Sequence, residues 1–192
     1  VRNGHPARTM QEFLAMAREN PGRISNANAG VGSTNHLACA LFSFVTGARM
    51  NDIPYRGEGP AVNDVVAGQV DSACVLAPAA VPQIQAGTMR GLLIAATERS
   101  QGAPQVPSAP EAGVPDFLFQ GWNAVFAPRG TPQPVVERLD QAMRAALNDP
   151  AIQRRIQELG SIPAPPDRQG PEALRALVRS EVARWAEVVR AA

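Results

Sequence analysis

The chain has 192 residues, 45% of them hydrophobic, and a formal net charge of +1. That length buries a substantial core as one large or two small domains, and so small a charge excludes nucleic acid as a partner. All 18 basic residues are arginine, which removes a phosphate-loop lysine, Schiff-base chemistry and a lysine-anchored pyridoxal cofactor, so no cofactor is expected.

No apolar run approaches the roughly 20 residues that span a bilayer. Val1-Arg-Asn-Gly-His-Pro6 lacks the apolar core of a signal peptide, so on these grounds alone the chain is cytosolic or has lost its N-terminus. Two histidines and no Cys-x-x-Cys or His-Glu-x-x-His spacing leave no metal site. Cys39 and Cys74 read as small buried hydrophobes in preference to a disulfide.

In chain order, Thr9-Met-Gln-Glu12 has capping-box spacing and opens a helix carrying Phe13, Leu14 and Ala17, which Asn20-Pro-Gly22 stops. Ile24 to Ala29 reads as a strand. Gly30-Val-Gly32 then turns the chain into a helix that Ser33 or Thr34 caps, with Leu37, Leu41, Phe44 and Val45 as its buried face and Gly47 as its end. Met50 to Tyr55 is a second strand. A helix follows from Gly57-Glu-Gly59-Pro60-Ala61 to about Gly68. Val70 to Leu76 is a strand, Pro78 to Ala86 a helix, and Arg90 to Ala96 a further apolar strand.

Beyond Thr97 the pattern changes. Gln101 to Asp116 is proline-rich and reads as a long surface loop, and Phe117 to Ala127 as extended chain. Pro132 and Pro150 each start a helix, the first with Val135, Leu139, Met143 and Leu147 in register. Gly170-Pro171 begins a last helix bearing Leu174, Leu177, Val178, Val182, Trp185 and Val188.

Strands alternating with single helices imply a parallel sheet covered on both faces, with every strand-to-helix turn on one edge. The turns after Ala29, Tyr55 and Leu76 should therefore converge, and the free N–H groups from Gly32 to Asn35 should hold an anion. Ser33 and His36 lie three apart, but no Gly-x-Ser-x-Gly elbow or orienting acid accompanies them, so no catalytic residue is assigned. Glu58 and Asp64 read as complements to a helix dipole, Asp52 and Asp71 as turn ties, and Trp122 as core.

Read together, Asn20-Pro-Gly22, Gly30-Val-Gly-Ser-Thr-Asn-His36, Pro54-Tyr-Arg-Gly57, Gly59-Pro-Ala61, Gly68-Gln-Val-Asp71, Ile84-Gln-Ala-Gly87, Pro107-Ser-Ala-Pro-Glu-Ala-Gly113 and Ala127-Pro-Arg-Gly-Thr-Pro132 resemble the tripartite tricarboxylate transporter substrate-binding family, the Bug receptors. The resemblance runs from about Thr9 to the C-terminus in the family's order. It implies an α/β, type II periplasmic-binding-protein-like fold whose two lobes close on a small carboxylate and deliver it to membrane permease subunits, with no catalytic step. Residues 1–118 would be the second ligand-binding lobe, complete with its parallel sheet. Residues 119–192 would be the hinge return strand and C-terminal helices of the first lobe.

By that likeness the ligand grip comprises Gly32, Ser33, Thr34, Asn35 and His36, with Gly57, Gly59, Ala61 and Ala77 from neighbouring turns. The expected location is periplasmic. Family members are about half as long again, so the C-terminal helices would lack their sheet and the chain alone would self-associate. An α/β enzyme acting on an anionic substrate at the same edge and a small-molecule sensing module are the alternative readings.

Overall fold

The computed structural model describes residues 1–191, without the side chains of residues 184 and 187–191, so Val188 of the expected stripe lies outside the described side chains. Thr9 opens α1 (Met10–Glu19) by accepting the N–H of Glu12, whose carboxylate takes the N–H of Thr9 in return, as the capping-box spacing requires. Met10, Phe13, Leu14 and Ala17 form its buried face. Phe42 joins this core, its ring 6.3 Å from Phe13 and edge-on to Phe117 at 5.2 Å.

Strands β1 (Ser25–Asn28), β2 (Asn51–Pro54) and β3 (Ser72–Ala73) form a parallel sheet in the order β2-β1-β3. Asn26 lies opposite Asp52 and Ser72, and Ala27 opposite Ile53 and Ala73. Each strand feeds a helix: α2 (Thr34–Thr46), α3 (Glu58–Val66) and α4 (Ala77–Gln85). Side chains alternate along β1. Asn26 therefore meets α2, its Nδ2 3.0 Å from Cys39 Sγ, while Ala27 packs with Ala61, Val62 and Val65 of α3. Both faces of the sheet are covered, and all three strand-to-helix turns leave from its carboxyl edge.

Several expectations change. The buried α2 face is Asn35, Ala38, Cys39 and Phe42; of the expected Leu37, Leu41, Phe44, Val45 set, Leu41 and Val45 are half-buried against the core that holds Phe13, and Phe44 is 85% exposed. β3 is two residues long because beyond Ala73 the Cys74 carbonyl and Leu76 N–H bond to Asn35 and Glu58 instead of a strand. Arg90 to Ala96 is no strand. It makes a lone bridge between Ile94 and Ser108, where the facing segment carries Pro104, Pro107 and Pro110, which lack the N–H a ladder needs. Gln101 to Asp116 is not a surface loop either, since Ala103, Val106, Ala109, Ala112 and Val114 are buried. Its backbone is satisfied by turns, such as Ala112 N–H to Ser108 O, which lets small apolar side chains fill core without joining a sheet.

The chain divides into two compact units, residues 1–121 with 158–161, and residues 122–157 with 162–192. The second holds α5 (Gln133–Leu147), most of α6 (Pro150–Glu158) and α7 (Pro171–Ala191). Neither α5 nor α6 buries a residue; Val135, Leu139 and Met143 are exposed, as are Val182 and Trp122, the last against its expected place in the core.

Asp71 fastens the sheet's entry edge, accepting from Arg2 Nε at 3.0 Å and from the Ser25 hydroxyl at 2.8 Å and N–H at 3.1 Å. Burial pushes its pKa up, but the bonds from Ser25 and Arg2 outweigh that and hold it below the usual aspartate value. A depressed carboxylate contributes stability that is full above the ordinary aspartate range and lost as pH falls through the folded value. Asp71→Asn should therefore lower the urea midpoint at neutral pH, with the gap to the unsubstituted chain closing on acidification. A gap constant from neutral to acid pH would refute this role.

Candidate functional site

The site is built where the three turns meet. Gly30 and Gly32 have φ of 114° and 78°, open to glycine and strained for other residues. At Gly30 there is a second reason: a Cβ would lie 2.9 Å from the carbonyl oxygen of Tyr55, so the first turn presses directly on the second. Two main-chain bonds fix that approach, Tyr55 N–H to Asn28 O at 3.0 Å and Gly57 N–H to Ala29 O at 3.2 Å. The Tyr55 hydroxyl donates to Asp64 at 2.7 Å, which holds the phenol protonated and pushes its pKa to about 12.

Ser33, not Thr34, caps α2, its Oγ accepting the His36 N–H at 3.1 Å. Thr34 is thus the first helical residue. Of the four N–H groups expected to face an anion, two are engaged inside the turn: Ser33 donates to Gly30 O at 3.0 Å and Gly32 to His36 Nδ1 at 3.3 Å. Those of Thr34 and Asn35, with that of Val31, have no acceptor among the described residues. The dipole of α2 ends on the same groups, and no acidic side chain lies in its first turn. Because His36 accepts at Nδ1, its neutral ring carries the proton on Nε2. Ser33 Oγ receives the main-chain N–H of His36 and not its ring, so the two form no nucleophile and base.

Glu58 does more than complement a dipole. Its Oε1 accepts from Asn35 Nδ2 at 2.7 Å and from the Leu76 N–H at 2.6 Å, and the same Asn35 amide donates to the Cys74 carbonyl at 2.9 Å. One carboxylate at the start of α3 thereby ties the turn before α2 to the turn before α4. No local pattern reveals this pairing, because the partners are 23 and 18 residues away. Asn28 is a second residue the pattern does not reveal. It is 1% exposed, its Oδ1 accepts the Gly30 N–H at 3.0 Å, and its Nδ2 has no hydrogen-bond partner.

The remaining expected residues divide by environment. Gly57 caps α3 with φ of 115°, and Gly59 has open space where a side chain would be. Ala61 is fully buried in the cluster with Ala27, where it seats α3. Ala77 begins α4 and faces Gly160, whose Cβ would come within 3.0 Å of it. Among the described residues no group of three His, Cys, Asp or Glu side chains is placed to hold a metal, and no helix is long and apolar enough to cross a membrane.

Residues 1–192 match the family described as Tripartite tricarboxylate transporter family receptor. The chain belongs to this family. BugT of Bordetella pertussis is 35% identical over 182 residues, which cover 95% of this chain and 55% of that protein. MatC of Rhodopseudomonas palustris, solved with bound malate, superposes with a TM-score of 0.90 at 36% identity, over 98% of this chain and 64% of its own. A second Rhodopseudomonas palustris protein, solved with adipate, gives 0.90 at 30% identity, over 99% and 62%. The chain spans about half the length of the curated relatives it matches. The fold is the α/β fold of periplasmic binding proteins of this family.

Glu58→Ala strips both donors of their shared acceptor and should cost about 2 kcal/mol of stability, whereas Glu58→Gln, which keeps an acceptor oxygen, should cost less than half of that. Urea unfolding of the two variants measures it. Equal losses would mean that the negative charge of the carboxylate, not its acceptor oxygen, holds the two donors.

Proposed function

We propose that this chain is the ligand-gripping part of an extracytoplasmic receptor that binds a small organic acid and presents it to the membrane subunits of a tripartite tricarboxylate-type transporter. The observation that carries the reading is the pair of unengaged N–H groups at Thr34 and Asn35, held at the positive end of α2 where three turns converge. A carboxylate there would take two main-chain donors, with His36 Nε2 within the same turn as a third. Family membership and the malate and adipate seen in two solved relatives support the same chemistry. Residues 1–118 serve as one lobe and 119–192 return to the other. No catalytic step belongs to this reading.

Thr34→Pro is the sharpest test. Proline suits the first helical position, and Ser33 before it already has the extended backbone (φ −71°, ψ 161°) that a following proline requires. The substitution therefore deletes one free N–H with little cost to the helix. Calorimetry on the complete gene product should show malate or adipate bound about tenfold more weakly, as expected for one charge-assisted bond. Unchanged affinity would remove α2 from the site.

We also propose that the exposed apolar faces of α5 and α7, including Val135, Leu139, Met143 and Val182, are covered in the longer protein. The isolated 192-residue stretch should then self-associate in sedimentation velocity and the complete product should not. A monomeric isolated stretch would overturn this.

A further inference from the structure

Behind the anion-binding turn lies a polar layer between α2 and the sheet, and it contains both cysteines. Their placement follows from two registers. Asn35 and Cys39 are four apart on one buried face of α2, and Asn35 reaches the Cys74 carbonyl at 2.9 Å. Ser72 and Cys74 are two apart along one extended segment and so share a face. The Ser72 hydroxyl donates to Asn26 Oδ1 at 3.0 Å, while Asn26 Nδ2 donates to Cys39 Sγ at 3.0 Å. The side of this segment that carries Ser72 is thus the one that looks at Cys39. Each thiol acts on the other: the neighbouring Cys74 thiol lowers the pKa of Cys39, aided by Asn26, and the Cys39 thiol together with burial raises that of Cys74. Both are free thiols here.

We propose that Cys39 and Cys74 are a disulfide site, oxidised in the mature protein to a bridge that staples α2 to the end of β3 beneath the ligand turn. The oxidant is a disulfide, either a dithiol oxidase of an oxidising compartment, where the proposed function puts the receptor, or oxidised glutathione. The Cys39 thiolate attacks one sulfur of that disulfide, giving a mixed disulfide and releasing one thiol. The Cys74 thiolate then attacks Cys39 Sγ, forming the internal bond and releasing the second thiol. Two protons and two electrons leave the protein, and one disulfide becomes two thiols. Cys39 has no exposed surface, so the exchange takes place while the chain folds, before α2 covers it.

The bridge would close the loop that contains the second part of α2, β2, α3 and β3, and so constrain the unfolded chain. It would also fix the spacing between Asn35 and the Cys74 carbonyl, two parts of the knot around Glu58.

The complete gene product, refolded in a reduced and oxidised glutathione buffer, tests this by intact mass and by maleimide labelling in denaturant. The expected result is a mass about 2 Da below the dithiol form, no labelled cysteine at either position, and a peptide joining Cys39 to Cys74 after proteolysis. The melting temperature should fall by several degrees on adding a reductant. In Cys39→Ala, Cys74 should carry a glutathione adduct or remain free. Two fully labelled cysteines in the oxidised, folded protein would overturn the proposal. Malate and adipate titrations on the same samples separate it from the receptor reading: a bridged protein that binds neither ligand refutes the receptor and leaves the bridge standing.

Discussion

The hydrogen bond from Asn35 to Glu58 is the contact on which the site's geometry rests. Each of the three turns is short, and main-chain bonds join the first to the second. Asn35 sits at the start of α2, Glu58 at the start of α3, and Leu76 at the start of α4, so one carboxylate oxygen receiving donors from both sides fixes all three helix starts at once. A half-buried anion accepting two short hydrogen bonds is stiffer than a van der Waals contact, and its negative charge is matched to helix N-termini. The sheet supplies the coarse convergence, and Glu58 ties the helix starts together.

The same arrangement would let the proposed carboxylate site coexist with an internal carboxylate. Glu58 occupies the donors of Asn35's side chain and Leu76's main chain, leaving the main-chain N–H groups of Thr34 and Asn35 unspent. At the proposed site an anion would meet helix-end donors already oriented by a neighbour. It would not need to organise the turn at the moment of binding, which reduces the entropy cost of association.

How much of this was legible in the sequence depended on range. The capping box at Thr9 and the glycine turn follow from patterns a few residues long, and the alternation of strands and helices implies the parallel sheet; all three appear, the sheet with three of its four expected strands. The resemblance reached the family from eight ordered fragments, none of them decisive alone. The Glu58 knot was illegible because it joins residues far apart in the chain, and a lone glutamate at a helix start has an adequate local explanation. Phe44 misled because a helical apolar stripe can be drawn on either side of Cys39; polar Asn35 holds the buried side because it has Glu58 and Cys74 to bond. The proline-rich segment misled because composition reports that a chain cannot join a ladder, not that it stays outside the core.

Val31 stands between the two glycines with 82% of its surface exposed. Its neighbours are constrained by backbone geometry and its own side chain by nothing in the described structure. A cradle made of main-chain donors does not depend on which side chains surround it, so substitutions at such a position would leave the proposed carboxylate grip intact while altering what sits beside the acid. Receptors built this way can drift between substrates without passing through a form that has lost the ability to bind.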